Sequence, residues 1–247
     1  MDRARITQIA DGVYFAQGQD VNWVLLRDGN DVTLIDAGYP GYVKAVEGSV
    51  RSIGARPEDV RAILVTHAHV DHVGAVNHFY DDYGTPAYFD PVEVAHARRE
   101  YLEQAGAGDV LKHALRPGVL PWSLRIMREG ALRAVAIDHA QPFGSGRLDL
   151  PGRPTPVATH GHTSGHSAFH LADAGIVVSG DSLITGHAVS LRSGPQVIPS
   201  WFAHGDQIAG LAPLEELDAD VLLPGHGPAH RGPIAAAVQR AREHAAR

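Results

Sequence analysis

The sequence contains no cysteine. That removes disulfides, thiolate metal ligands and cysteine nucleophiles together, so any metal must be held by nitrogen and oxygen. It also lacks any apolar run near the roughly 20 residues that span a bilayer, and the opening stretch MDRARITQIADGVYF has no apolar core of signal-peptide length. The expectation is a cytoplasmic protein with no membrane partner. Positive charge is in the minority: 21 Lys and Arg face 28 Asp and Glu, a net charge of −7, which argues against a broad nucleic-acid surface. With 247 residues and 44% hydrophobic content, the chain can bury a full core, and neither disorder nor a fibrous architecture is indicated.

What the chain has in excess is histidine, 16 residues in all. The densest group is Thr66-His67-Ala68-His69-Val70-Asp71-His72, directly after the apolar run Arg61–Val65. In extended backbone His67 and His69 share a face, while Asp71 and His72 lie where the chain begins to turn and can serve a neighbouring site. That geometry suits two metals better than one, and solvated histidines are its bland alternative.

Turn residues and alternation predict strands at Ile6–Ile9, Val13–Ala16, Asn22–Leu26, Asp31–Asp36 and Arg61–Thr66, with helices at Tyr42–Ile53 and Asp71–Tyr83. Pro91 to about Arg133 reads as a broken helical cap inserted in the fold. Strands return at Ala134–Ile137, Pro156–Thr159, Ser167–Leu171, Ile176–Ser179 and Val221–Leu223, with helices near Gln207–Leu217 and Pro233–Ala245. Two halves, each strand-rich and then helical, predict an α/β fold of four layers, αββα, as one domain over 1–247.

The string THAHVDHVG resembles the H-x-H-x-D-H signature of the metallo-β-lactamase superfamily. ATHGHTSGHS at Ala158–Ser167, Ser179-Gly180-Asp181-Ser182 and Leu223-Pro224-Gly225-His226-Gly227 resemble its later motifs, in the same order. The resemblance implies the metallo-β-lactamase fold. It further implies a first metal held by His67, His69 and His162, a second by Asp71, His72 and His226, and Asp181 bridging both. Nitrogen and oxygen donors suit zinc, the first expectation, and leave manganese or iron open. Two such ions would share a hydroxide, because they lower the pKa of bound water from about 15.7 to about 7, and Asp71 could relay a proton to the leaving group.

Gly161, Gly180, Gly225 and Gly227 flank these ligands, where tight turns benefit from unrestricted φ; Asp36, after a strand, is a candidate brace or a plain turn residue. His160, His166 and His187 are candidates to line the pocket; His78, His96, His113, His139, His170, His204, His230 and His244 read as surface or structural residues. Tyr101, Trp122 and Met127 in the cap read as cap core rather than substrate contacts.

The family hosts many chemistries, so departures from its patterns carry the choice. Absence of cysteine and of an export signal disfavours secreted β-lactamases. Only about twenty residues follow His226, short of a glyoxalase II extension. Asp181-Ser182-Leu183-Ile184 lacks the tyrosine that related lactonases place after the bridging aspartate, so a lactonase would need another electrophilic helper. His69, where flavodiiron oxidases carry glutamate, disfavours that group, and the acidic balance disfavours processing nucleases. The expectation is a binuclear hydrolase of a small carboxylic ester, thioester or lactone; the alternative is a mononuclear iron dioxygenase acting on a persulfide.

Overall fold

Strand Asn22–Asp28 (β3) shows how the layers arise. Trp23 and Leu25 face one core, Val24 and Leu26 the opposite one, so period-two alternation delivers apolar side chains to both faces of a sheet covered on both sides. The computed structural model describes residues 4–246. One sheet has seven strands in sequence order: Arg5–Ala10 (β1), Val13–Gln17 (β2), β3, Asp31–Ile35 (β4), Val60–Leu64 (β5), Ala87–Phe89 (β6) and Gln141–Pro142 (β7). Its first four strands pair antiparallel and the rest parallel. The second sheet joins Thr155–Ala158 (β8), Ser167–Leu171 (β9), Ile176–Gly180 (β10), Val221–Pro224 (β11) and His230–Arg231 (β12), with β10 and β11 parallel.

The sheets meet through Phe15, Val24, Leu26, Ile35 and Leu64 on one side and Phe169, Leu171, Val178 and Leu223 on the other. Helices Val43–Ser52 (α1) and Val76–Tyr83 (α2) cover the outer face of the first sheet. Gln207–Gly210, Ala212–Glu215 and Ile234–Ala245 cover that of the second. This is the expected four-layer αββα sandwich. Three helices, Glu93–Ala97 (α3), Ala107–Lys112 (α4) and Val119–Arg128 (α5), intervene between β6 and β7, in the segment expected to form a cap.

Local departures have local causes. The predicted strand Ala134–Ile137 is irregular, because Ile137 N–H donates to the Ala97 carbonyl and the Ala136 carbonyl accepts from Asn77, leaving no strand neighbour. The short strands β6 and β7 fall where no strand was expected. The helix expected over Asp71–Tyr83 begins only at Val76. Before it, Gly74 runs against the backbone of Gly38 to Pro40, where a Cβ would lie 2.0 Å from the Tyr39 carbonyl carbon. The predicted helix Gln207–Leu217 is two short pieces, the second carrying Pro213 in its first turn, where the missing N–H interrupts the ladder. Among the described residues no helix is long and apolar enough to cross a membrane.

Candidate metal centre

The strands direct the site. β4, β5, β10 and β11 end at Ile35, Leu64, Gly180 and Pro224, and the residues that follow them include Asp36, the loop His67 to His72, Asp181 and His226. The β8–β9 connection adds His162. Two backbone hydrogen bonds cross between the sheets here, Ser167 to Thr66 (2.9 Å) and Asn22 to Gly225 (2.8 Å), and fix the loops against one another.

All seven residues named from the sequence converge. Ligand-capable atoms of His67, His69 and His162 form one group within 4.8 Å, those of His67, His72 and Asp181 another, and those of Asp71, His72 and His226 a third. Asp181 touches both sides: Oδ2 lies 3.2 Å from His226 Nε2 and 3.6 Å from His162 Nε2, and Oδ1 lies 3.5 Å from His72 Nε2. Except for part-exposed Asp71, all are buried.

The imidazoles are oriented from behind. His72 Nδ1 donates to Asp36 Oδ2 (2.8 Å), and His226 Nδ1 to the Asp20 carbonyl (2.6 Å). His69 Nε2 donates to the Glu103 carbonyl. Thr66 Oγ1 gives its one proton to Asp36 (2.9 Å) and so accepts from His67 Nδ1 (3.0 Å). Each of these rings therefore turns its other nitrogen inward, Nε2 of His67, His72 and His226 and Nδ1 of His69, which offers a lone pair whenever the ring is neutral. His67 Nε2, His72 Nε2 and Asp181 Oδ1 are buried and have no hydrogen-bond partner among the described residues. Leaving such atoms unpaired costs about 1–3 kcal/mol each, and a divalent cation would satisfy them. The donor set thus fits a metal centre without sulfur.

The electrostatics agree. Burial, then the crowd of neighbouring imidazoles, pushes His67 and His162 well below the ordinary histidine range. Burial and His96 lower His69 to about 3. These rings are neutral, as ligands must be. Burial would raise Asp181, but His226 and His72 outweigh it and hold the carboxyl well below its usual range. His72 goes the other way: burial lowers it, yet Asp36, Asp181 and Asp71 together raise it, a concentration of negative charge that a cation would also relieve.

Of the flanking candidates, His166 donates from Nδ1 to Thr159 Oγ1 (2.8 Å) and accepts from the Asp181 N–H at Nε2 (3.0 Å), so it braces Asp181. His160 is turned away, 3.4 Å from Asp90. His187 lines the cavity. Gly161, Gly180 and Gly227 have φ of 146°, 51° and 90°; Gly225 is required by closeness instead, since a Cβ there would lie 2.3 Å from Asp181 Oδ1.

A cavity of about 270 Å3 opens beside Asp71, Asp181 and His226 and runs under the cap, walled by Val110, Leu111, Trp122, Ile126 and Met127. Trp122 is buried in the core, as read, and presents one side to the cavity; Met127, largely exposed, faces it contrary to its reading as cap core, and Tyr101 stacks on His96, 5.5 Å between centroids. Among the described residues no Lys or Arg lines this cavity. Sequence reasoning missed Tyr39 on its wall, and also Glu93, Glu103 and Asp20 behind the ligands. None of these carries a motif; their roles come from residues distant in the chain.

The sequence profile of the Metallo-beta-lactamase superfamily matches residues 16–226. The "Probable metallo-hydrolase YflN" of Bacillus subtilis is 28% identical over 236 residues, 89% of this chain and 81% of that protein. The "N-acyl homoserine lactonase AttM" of Azorhizobium caulinodans is 31% identical over 156 residues, 61% of this chain and 45% of that protein. Among solved structures, a metallo-beta-lactamase family protein from Thermus thermophilus aligns at 24% identity with a TM-score of 0.68, covering 97% of this chain and 81% of the other. A metallo-beta-lactamase from Cronobacter sakazakii aligns at 18% identity with a TM-score of 0.71, covering 99% and 94%.

Proposed function

Because the chain belongs to the metallo-beta-lactamase superfamily, we propose that it is a two-metal hydrolase of a small carboxylic ester, thioester or lactone bearing an apolar acyl group. The observation that carries this reading is the cavity, which joins a converging donor set at one end to an aliphatic and aromatic wall at the other and, among the described residues, has no Lys or Arg in its lining. A phosphodiester, a nucleic acid or a carboxylate-bearing β-lactam would meet no fixed positive side chain there; an acyl chain would meet apolar surface. The name of the AttM relative points to the same class of substrate. The sheet-to-sheet hydrogen bonds at the site support one domain with a cap over about 91–133.

His67, His69 and His162 would hold the first ion, Asp71, His72 and His226 the second, and Asp181, within reach of both groups, would bridge them. When bound, the ions, zinc being the first expectation, supply Lewis acidity toward the acyl oxygen and acidify a water for attack. Asp71 is the part-exposed member of the set, on the cavity wall with Oδ2 3.5 Å from His226 Nε2, and would take up the proton released by the attacking water and pass it to the leaving oxygen or sulfur. The electrophilic helper that a lactonase needs is available twice. Burial, then the charges of Asp71 and Asp20, holds the Tyr39 phenol well above its ordinary range, so it remains a donor. His187 accepts the Val189 N–H at Nδ1 (3.3 Å), which leaves its ring proton on Nε2. The apolar cap residues exclude water from the acyl group.

The single-iron alternative requires only one ligand group, whereas seven donors here form groups on both sides of Asp181, which favours two ions. Metal analysis of the purified protein, combined with turnover of thioester, lactone, phosphodiester and β-lactam substrates, tests the proposal. Two zinc or manganese per chain, with acyl turnover lost in Asp71→Ala, is the expected outcome. One iron per chain, oxygen consumption and no hydrolysis would sink it.

A further inference from the structure

The ligands of the first group sit on two loops that regular secondary structure does not hold: His67 and His69 after β5, His162 between β8 and β9. What fastens both loops is the root of the cap. Glu93, in α3, is fully buried, and its carboxylate accepts four hydrogen bonds. Oε1 takes the Ala68 N–H (2.8 Å) and His96 Nδ1 (2.7 Å). Oε2 takes Thr163 Oγ1 (2.9 Å) and the Gly165 N–H (3.0 Å). Ala68 lies between two ligands and Thr163 follows the third, so one carboxylate spans both loops.

The next eleven residues repeat the connection. Arg99, at the rare φ of 61°, donates to the Ala68 carbonyl (2.8 Å). The Glu103 carbonyl receives His69 Nε2, and the Glu103 carboxylate receives the N–H and hydroxyl of Ser164, both at 2.6 Å. Gln104 Oε1 accepts the Val70 N–H (3.1 Å), and Gln104 and Ala105 then continue into the cavity wall. The imidazoles of the second group are held from elsewhere, His72 by Asp36 and His226 by the Asp20 carbonyl.

We infer that Glu93 is a positioning residue that sets the affinity of the first metal group, and that segment 93–104 couples occupancy of that group to the order of the cap. The physical reason is that imidazoles on flexible loops must be ordered before they can share an ion, and a buried carboxylate bonded to both loops supplies that order beforehand. The coupling runs both ways. An ion that fixes His69 also fixes the Glu103 carbonyl, and with it the chain leading into the acyl wall. The inference rests on the two-ion reading above.

Glu93→Gln preserves volume but turns an amide donor toward either the Ala68 N–H or the Gly165 N–H, so one loop loses its acceptor. Zinc binding is measured by competition with a chromophoric chelator, and hydrogen exchange of amides 104–133 is followed with and without zinc. The wild type should bind two zinc ions and protect cap amides on doing so. In Glu93→Gln one of the two should bind 10- to 100-fold more weakly, the other should be unchanged, and cap exchange should stay near its zinc-free rate. Glu103→Ala, at a part-exposed position, should weaken the same ion several-fold and serves as the deciding variant should Glu93→Gln fail to fold. A wild type that does not bind two ions overturns the reading of the site. A wild type that does, with folded variants that bind both ions normally or lose both equally, overturns the role of Glu93.

Discussion

Replacing Asp36 by Asn changes one atom and should undo the second metal group through a proton rather than through a lost ligand. Asp36 is 2% exposed and accepts from the Thr66 N–H (2.8 Å), from Thr66 Oγ1 and from His72 Nδ1 (2.8 Å). Its φ of 64° lies in the left-handed region, which Asn tolerates, so the backbone should persist. With the carboxamide oxygen retained by Thr66, the amide would face His72 Nδ1, donor against donor. The ring escapes by moving its proton to Nε2, the position that would otherwise bind metal. Losing the orientation of a ligating imidazole weakens metal binding about 10- to 100-fold, or roughly 1.4–2.8 kcal/mol. The lost charge-assisted hydrogen bond should cost a further ~2 kcal/mol of fold stability, a Tm drop of about 4–8 °C in a chain of this size. Zinc competition titrations and thermal melts in chelator read the two effects separately. Asp36→Asn protein that binds two zinc ions within about threefold of wild type would refute the tautomer reasoning.

Chelation should itself destabilise the protein: zinc at about 100 times its Kd contributes about 2.7 kcal/mol per site, so a melt in excess chelator should fall by at least 5 °C or so, and an unchanged Tm would count against a resident ion. Ala131→Phe, on the cavity wall, should displace about two methylenes of a long acyl chain; at ~0.8 kcal/mol each this lowers kcat/KM for decanoyl esters about 15-fold while butyryl esters change little, and equal losses on both would contradict the acyl assignment. Far from the site, burial raises Glu47, but hydrogen bonds from Tyr83, His78 and Arg51 prevail and hold it at about 2 against an ordinary 4.5. A depressed carboxyl stabilises the fold above the unfolded value and loses that contribution as pH falls from about 4.5 through about 2, so Glu47→Gln should remove about 1 kcal/mol at neutral pH, discounted for solvent screening, and flatten the acid limb of the stability profile; an acid limb identical to wild type would refute it.

The seven candidate ligands were legible because each lies in a short motif beside an apolar strand, and the chemistry of imidazole and carboxylate narrows what such motifs can do. The groups that orient them were not. Glu93 falls between Val92 and Val94 in the stretch read as a broken helical cap; only the folded chain shows that it is buried against Ala68, Thr163 and Gly165. Asp20 contributes through its carbonyl, which no side-chain pattern records. His187 was a pocket candidate from its nearness to Asp181 in sequence, and it does line the cavity; Tyr39 could have been suspected only from its nearness to Asp36. Strand errors have a similar origin: Ala134–Ile137 has strand composition, yet its backbone is engaged by Ala97 and Asn77.

By itself the sequence determined the layering, through strands apolar on both faces and helices apolar on one, and it determined the ligand types, through the absence of cysteine and the spacing of histidines. Tertiary structure alone decided which nitrogen of each ring faces inward, how the cap reaches the metal loops, and that the cavity under it has an apolar wall with no Lys or Arg among the described residues. Periodicity and motif spacing are properties of neighbours along the chain; tautomer, buried charge compensation and cavity lining depend on partners up to 206 residues apart, as His226 and Asp20 are.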